Sequence, residues 1–353
     1  MTTSIYAGAA KLIAGESPSR PGGLFRMTLG DGGWQRLGGG LPEDTDVHAI
    51  AVHPGDPRVI YAGTQHGPFR STDGGERWSA LSLPGPDRDV WSLHVHPRDP
   101  RILYAGTAPA AVYRSEDGGD SWKSFAGFRA PGRVKMGFAC RVTRLAADPS
   151  HPREVYAGLE VDGVQRSLDG GDTWEDLSDP LVRMAEERPH LRSRIVSDTE
   201  IEGMMDTHAL CLSSAAPGTV FLALRMGLFR SADRGKTWED MEIGRFSPLT
   251  YARDVQVSPH DPRTLYACLS PAARSEDGSL YVSDDLGGSW RRLDHGIKAR
   301  ATMMALGQHA RDPRQLYCVS RAGQVFGTQD GGSTWREYPL PPGVQDLYAV
   351  ACG

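Results

Sequence analysis

Apolar and polar positions along this chain alternate in short runs, and the runs recur in fours. Residues 48–81 read HAIAVHPGDPRVIYAGTQHGPFRSTDGGERWSAL, and residues 91–125 read WSLHVHPRDPRILYAGTAPAAVYRSEDGGDSWKSF. Each stretch holds an alternating run (AIAVH), an apolar run (VIYAG), a short run (PFRS) and a fourth run containing a Trp. Alternation with period two predicts β-strands. The HPGDPR between the first two runs and the DGG between the last two carry the Pro, Gly and Asp chemistry of tight turns. No long helical period interrupts them.

The fourth runs end a recurrent octapeptide: STDGGERW at 71–78, SEDGGDSW at 115–122, SLDGGDTW at 167–174, SADRGKTW at 231–238, SDDLGGSW at 283–290 and TQDGGSTW at 328–335. A worn copy, TLGDGGW, ends at Trp34. The Trp-to-Trp steps are 44, 44, 52, 64, 52 and 45 residues. Four strands on such a period predict the blades of a β-propeller. In S-x-D-x-G-x-x-W the Asp can accept backbone N–H groups that the turn leaves free, the Gly permits positive φ, and the Trp covers the hairpin. The Asp residues at 73, 117, 169, 233, 285 and 330 are therefore structural. One per blade, they are spread around a rim and cannot converge on a single substrate.

The first copy lacks an alternating strand, and DLYAVACG at 346–353 matches DVHAIAVH at 46–53. The C-terminal strand is expected to become the innermost strand of the N-terminal blade, joining 346–353 to 5–37. This predicts an all-β fold, one seven-bladed propeller of four-stranded blades spanning 1–353, with closure removing exposed sheet edges.

These octapeptides resemble the Asp-box, or bacterial neuraminidase repeat, over nearly the whole chain. The resemblance implies a propeller like those of sialidases, xyloglucan-degrading glycosidases, sortilin-type receptor domains and a photosystem II assembly factor. It implies fold more than activity. The sialidase F-R-I-P segment is missing, since FRMT at 25–28 falls inside a blade. Xyloglucanases of this type carry two propellers, and this length accommodates one. The resemblance also implies that the octapeptides share one face, with inner-strand entries and second-to-third-strand loops on the other.

Composition narrows the partners. A net charge of −5 without a Lys/Arg run argues against nucleic acid and anionic membrane surfaces. Five scattered cysteines form no C-x-x-C pair, which argues against a disulfide framework or zinc ribbon. No apolar run has the length of a membrane span and no secretory leader pattern opens the chain, so a soluble cytoplasmic protein is expected.

Candidate chemistry lies at the strand entries. Tyr348, His48, Trp91, Thr143, His208, Arg253 and Met304 align at one position, preceded two residues earlier by Asp346, Asp46, Asp89, Arg141, Asp206, Tyr251 and Thr302. Residues i and i+2 on a strand point the same way, so both sets are expected at the channel mouth. Asp46, His48, Asp206 and His208 are the acid–base candidates. Arg141 and Arg253 suit carboxylates, and Trp91, Tyr251 and Tyr348 suit sugar faces. An insertion, 178–207, leads into Asp206 and His208 as an expected lid, with His190, Arg192, Arg194, Glu200 and Glu202 as its contacts. Segment 126–142, with Arg133, Lys135 and Arg141, is a second insertion on that face.

Two functions stay open. One is a small-molecule-binding enzyme of hydrolase or lyase type, acting on a polar, carbohydrate-like or carboxylated substrate. The other is a non-catalytic scaffold that binds a protein partner. No cofactor is identified by the sequence. A divalent metal held by His48 and His208, with Asp46 and Asp206, is a further variant ranked below a metal-free site.

Overall fold

The computed structural model describes residues 2–11, 22–85 and 89–353. They form seven four-stranded antiparallel sheets. Six blades run in chain order. The remaining one is assembled from Leu347–Cys352, Ser4–Ala9, Gly23–Thr28 and Gln35–Leu37, as expected from the closure argument. That C-terminal strand is blade 1's inner strand, pairing Ile5 with Cys352 and Ala7 with Val350. The other blades begin at inner strands Val47–Val52, Asp89–Val95, Val142–Ala147, Thr207–Leu212, Tyr251–Val257 and Met303–Gln308, numbered blades 2 to 7. No helix among the described residues is long and apolar enough to cross a membrane.

The octapeptides act as clasps. In blade 3, the Ser115 hydroxyl donates to Asp117 Oδ1 at 2.8 Å and accepts the Gly119 N–H, while Asp117 takes the Ser121 N–H and hydroxyl. The fourth position has positive φ in every full copy, although Arg234 and Leu286 occupy it in two. The fifth is always Gly because a Cβ there would collide with the preceding blade. It would meet Leu37 at 2.8 Å from Gly75, Leu177 at 2.4 Å from Gly235 and Leu293 at 2.6 Å from Gly332. Strand residues of the preceding blade bond the fourth-position carbonyl: Tyr61 and Arg70 bond Gly118, and Tyr104 and Arg114 bond Gly170. Each turn is thus both a hairpin and an inter-blade joint.

His94, on the inner strand of blade 3, reports on blade packing. Its Nε2 accepts the Ala147 N–H of blade 4 at 3.2 Å, a role open to the neutral ring. Burial, with His96 and Arg144 adding to it, pushes the imidazole down to about 3. Unfolded, it would titrate near 6.5. Its contribution to stability is therefore complete above pH ~6.5 and is lost as pH falls from there toward the folded value. We expect His94→Gln to flatten the urea-midpoint profile between about pH 6.5 and 5, above the carboxylate range. An unchanged slope in that window would contradict this assignment.

Candidate functional site

All seven aligned entry positions are β-bulges. Val47 and Ala49 pair with the adjacent residues Thr64 and Gly63, leaving His48 without a partner across the ladder. Trp91, Thr143, His208, Arg253, Met304 and Tyr348 are skipped in the same way. A bulge re-aims its extra residue and interrupts the two-residue period. Of the aligned residues two positions earlier, Arg141, Asp206 and Tyr251 line the mouth cavity alongside them as expected, whereas Asp46, Thr302 and Asp346 do not. Asp346 pairs with Arg321 at 3.1 Å. The Thr302 hydroxyl donates to the Ala272 carbonyl at 2.9 Å. Asp46 takes no part in the mouth cavity: its carboxyl abuts Gly22, and burial raises its pKa.

The entries form two clusters. In the first, the His48 imidazole stacks on Trp91 at 3.9 Å and 14°, and the Arg141 guanidinium lies 4.0 Å from the same ring. Two groups at that distance must occupy opposite faces. Trp91, expected as a sugar platform, is thus covered on both sides, and its Nε1 donates to Asp89 at 2.7 Å. His48 Nδ1 lies 3.0 Å from Asp89 Oδ1. Tyr348 meets Trp91 edge-on at 5.7 Å.

The second cluster joins blades 5 and 6. Asp206 Oδ2 lies 2.9 Å from Arg225 Nε and 3.2 Å from His208 Nε2. His208 Nδ1 donates to the Ala252 carbonyl at 2.7 Å, and Nε2 meets the Tyr251 hydroxyl at 3.3 Å. Burial alone would raise the Asp206 carboxyl, but His208 and Arg225 outweigh it and hold it well below the usual range. Burial lowers His208 against the pull of Asp206. Burial also raises Glu160, against the attraction of Arg141, which lies 3.0 Å away. Two carboxyls of one cavity are thereby pushed in opposite directions, the pattern of an acid–base pair.

Above this cluster opens a cavity of about 590 Å³, whose lining includes Arg141, Glu160, Asp206, Tyr251, Arg253 and Tyr348. Arg253 makes no ion pair or hydrogen bond among the described residues. Burial opposes its charge, but Tyr251, Tyr348, Glu160 and Asp206 outweigh that and favour the cation. The Tyr348 hydroxyl and Asp206 Oδ1 are buried without a hydrogen-bond partner. Burial pushes Tyr348 up to about 12. Buried polar atoms of this kind call for a ligand or water. A second cavity, about 540 Å³, lies on the opposite face against the D-P-R turns. Its His53 and His309 each accept two turn N–H groups at Nδ1, which gives them a scaffold role.

The insertion contributes less charge to the site than expected. Its helix Asp179–Glu187 starts at Asp179-Pro180 and stops before Pro189 as anticipated, burying Leu181, Met184 and Ala185. Arg192 bonds the Ala185 and Glu186 carbonyls, Arg194 bonds Ser197, and His190 lies 3.8 Å from Asp240. None of these three, nor Glu200, lines the cavity. The wall is made by Ile195, Val196 and Glu202, whose carboxylate accepts the N–H groups of Ile195, Val196 and Ser197. From the second insertion, Met136, Phe138 and Arg141 line the cavity, while Arg133 pairs with Asp176 and Asp179.

Entry alignment missed Glu160, Arg225 and Arg321. Each directly follows a second strand, ending at Leu159, Leu224 and Ser320. Aligning that position as well would have found them. The four proposed metal ligands are not gathered around one point. Among the described residues, the group with ligand atoms within 4.8 Å of one another is Asp148, His151 and Glu154.

No family model matches the chain. It is 24% identical over 341 residues to a xyloglucanase of Hypocrea jecorina, covering 89% of this chain and 35% of that protein. Among solved structures it resembles the GH74 xyloglucanase from Xanthomonas campestris, with TM-score 0.62 and 19% identity, covering 85% of this chain and 46% of that one. It also resembles YCF48 from Cyanidioschyzon merolae, with TM-score 0.59 and 14% identity, covering 90% of each chain. The chain thus spans about a third to a half of the xyloglucanases it matches. What these likenesses establish is the fold, a seven-bladed β-propeller of four-stranded sheets.

Proposed function

We propose that the protein is an enzyme of hydrolase or lyase type that binds a carboxylated, carbohydrate-like molecule in the mouth cavity and cleaves it by acid–base chemistry. The observation that carries this reading is Arg253, a channel guanidinium with no acid partner, at the wall of a cavity of about 590 Å³. A half-buried guanidinium without an ion pair at a cavity wall is placed to receive a carboxylate through charge-assisted hydrogen bonds. Tyr251 and Tyr348 beside it offer ring surface, and Tyr348 also an unpartnered hydroxyl. Asp206, Glu160 and the His208–Tyr251 pair supply proton-transfer groups in distinct states. Similarity to xyloglucanases supports a carbohydrate ligand, and Arg253 alone calls for its carboxylate.

The reading is metal-free. His208 has both ring nitrogens engaged by Ala252, Tyr251 and Asp206, and His48 Nδ1 faces Asp89. A scaffold reading has one observation in its favour, the apolar rim of Ile195 and Val196, 44% and 75% exposed.

Calorimetry with oligogalacturonate and its carboxyl-reduced counterpart separates the readings. We expect the carboxylated oligomer to bind more tightly, and Arg253→Gln to weaken it about 10- to 100-fold, as losing a charge-assisted hydrogen bond does. Equal binding of both oligomers, or an Arg253→Gln variant with native affinity, would refute the proposal.

A further inference from the structure

We infer that the mouth cavity is built for β-elimination at a uronic-acid residue, with Arg253 receiving the carboxylate and Tyr251 transferring the proton. The inference rests on the reading just given and names its substrate class and reaction. Three features of the second cluster point to it.

The first is the fixed tautomer of His208. The Ala252 carbonyl accepts from Nδ1 at 2.7 Å, so in the neutral ring Nε2 carries the lone pair, and it faces the Tyr251 hydroxyl at 3.3 Å. That arrangement draws the phenol proton toward the imidazole. The second is Asp206, 3.2 Å from the same Nε2, where it meets the imidazolium as it forms. The third is the pair of guanidiniums beside the phenol, Arg253 and Arg225, which favour its ionised form against burial and the Asp206 and Glu160 carboxyls. Burial prevails and the phenol as a whole stays raised, so it needs His208 to take its proton. The Arg225 guanidinium lies 5.6 Å from the Tyr251 ring, and Arg253 follows two residues along the strand, re-aimed by its bulge.

The atoms balance without an added reagent. His208 Nε2 takes the Tyr251 proton, and the tyrosinate removes the hydrogen on the carbon α to the substrate carboxylate. The electron pair left behind is delocalised into that carboxylate, where Arg253 neutralises it. It then forms the carbon–carbon double bond as the β carbon–oxygen bond breaks. The departing oxygen takes the proton from Tyr251, and His208 returns its own. One glycosidic bond becomes one alkene and one hydroxyl, with no change of oxidation state overall.

Hydrolysis would call on the two carboxyls instead. Asp206 is already engaged by Arg225 and His208, and Glu160 faces Arg141 at 3.0 Å. Hydrolysis would also leave the Tyr251–His208 contact without a task. Tyr251 is thus the catalytic residue, and His208 is a positioning residue that acts through it.

The experiment follows oligogalacturonate and oligoglucuronate with the full chain, recording the ultraviolet absorbance of a conjugated uronate alkene alongside calorimetric binding. We expect wild type to generate the absorbance. Tyr251→Phe should lower its rate at least ~100-fold, the usual yield of a positioned acid–base group, while binding stays within about two-fold. His208→Gln should move the rising limb of the pH–rate profile to higher pH, because the phenol must then ionise without its acceptor. Tight, Arg253-dependent binding with new reducing ends but no alkene, or with no cleavage, would overturn elimination and leave the binding site standing. Failure of both uronates to bind would remove the site reading itself. A Tyr251→Phe variant of native rate would exclude the assigned proton carrier.

Discussion

Removal of residues 346–353 is expected to abolish the cooperative native fold. The strand Leu347–Cys352 is hydrogen-bonded to Ser4–Ala9, and Gly353 closes the pair through reciprocal bonds with Ser4 at 2.8 and 3.0 Å. Its inward side chains join one apolar cluster with Ile5, Ala7 and Phe25 of blade 1 and Tyr317, Val319 and Val325 of blade 7. Leu347 and Val350 are buried, each worth about 1.5–3 kcal/mol by transfer alone. Their loss also strips the cover from the partners just named and leaves the Ser4–Ala9 edge unpaired. Against a typical domain stability of about 5–15 kcal/mol, that combination is decisive. Urea denaturation of the truncated chain should show no native baseline. A midpoint equal to the full chain's would mean that the ring is closed by something else.

Trp238→Ala carries the second-largest expected effect, a loss of about 3–5 kcal/mol. Trp238 is 7% exposed and belongs to the largest apolar cluster, between blades 4 and 5. Its Nε1 donates to the Leu177 carbonyl of the preceding blade at 3.3 Å, so the change also orphans an inter-blade acceptor. The Trp residues are not equivalent in this respect. Trp78, Trp122 and Trp174 bond the Gly carbonyl of their own turn, whereas Trp34 and Trp335 reach Tyr338 and Leu293 in the preceding blade. Trp122 is only partly buried, and its truncation should cost less. Chemical denaturation of Trp238→Ala and Trp122→Ala side by side checks the ordering. Equal losses would show that the ring's own hairpin, rather than the inter-blade joint, sets the energy.

The architecture was legible because each repeat carries its own turn chemistry. S-x-D-x-G-x-x-W placed the clasp, and the match between 346–353 and 46–53 placed the closure. The entry positions were also legible: His48, Trp91, His208, Arg253 and Tyr348 are all the extra residue of a bulge. Their company was not. A bulge breaks the alternation on which the expectation for Asp46 and Asp346 rested. Trp91 reads as an open aromatic in sequence, yet His48 and Arg141 cover it from blades on either side. The charged residues of 178–207 read as contacts for a ligand, but an irregular loop has backbone carbonyls and N–H groups to satisfy, and Arg192, Arg194 and Glu202 are spent on them. Glu160 and Arg225 were overlooked because they enter from second strands, opposite Arg141 and Asp206.

The central claim is that a carboxylated ligand occupies the channel mouth through Arg253. A crystal structure of the protein with a bound oligouronate addresses it most directly. The account predicts the carboxylate within hydrogen-bonding distance of the Arg253 guanidinium, between Tyr251 and Tyr348. An oligomer seated on an outer blade edge, with the mouth cavity filled by water alone, would contradict it.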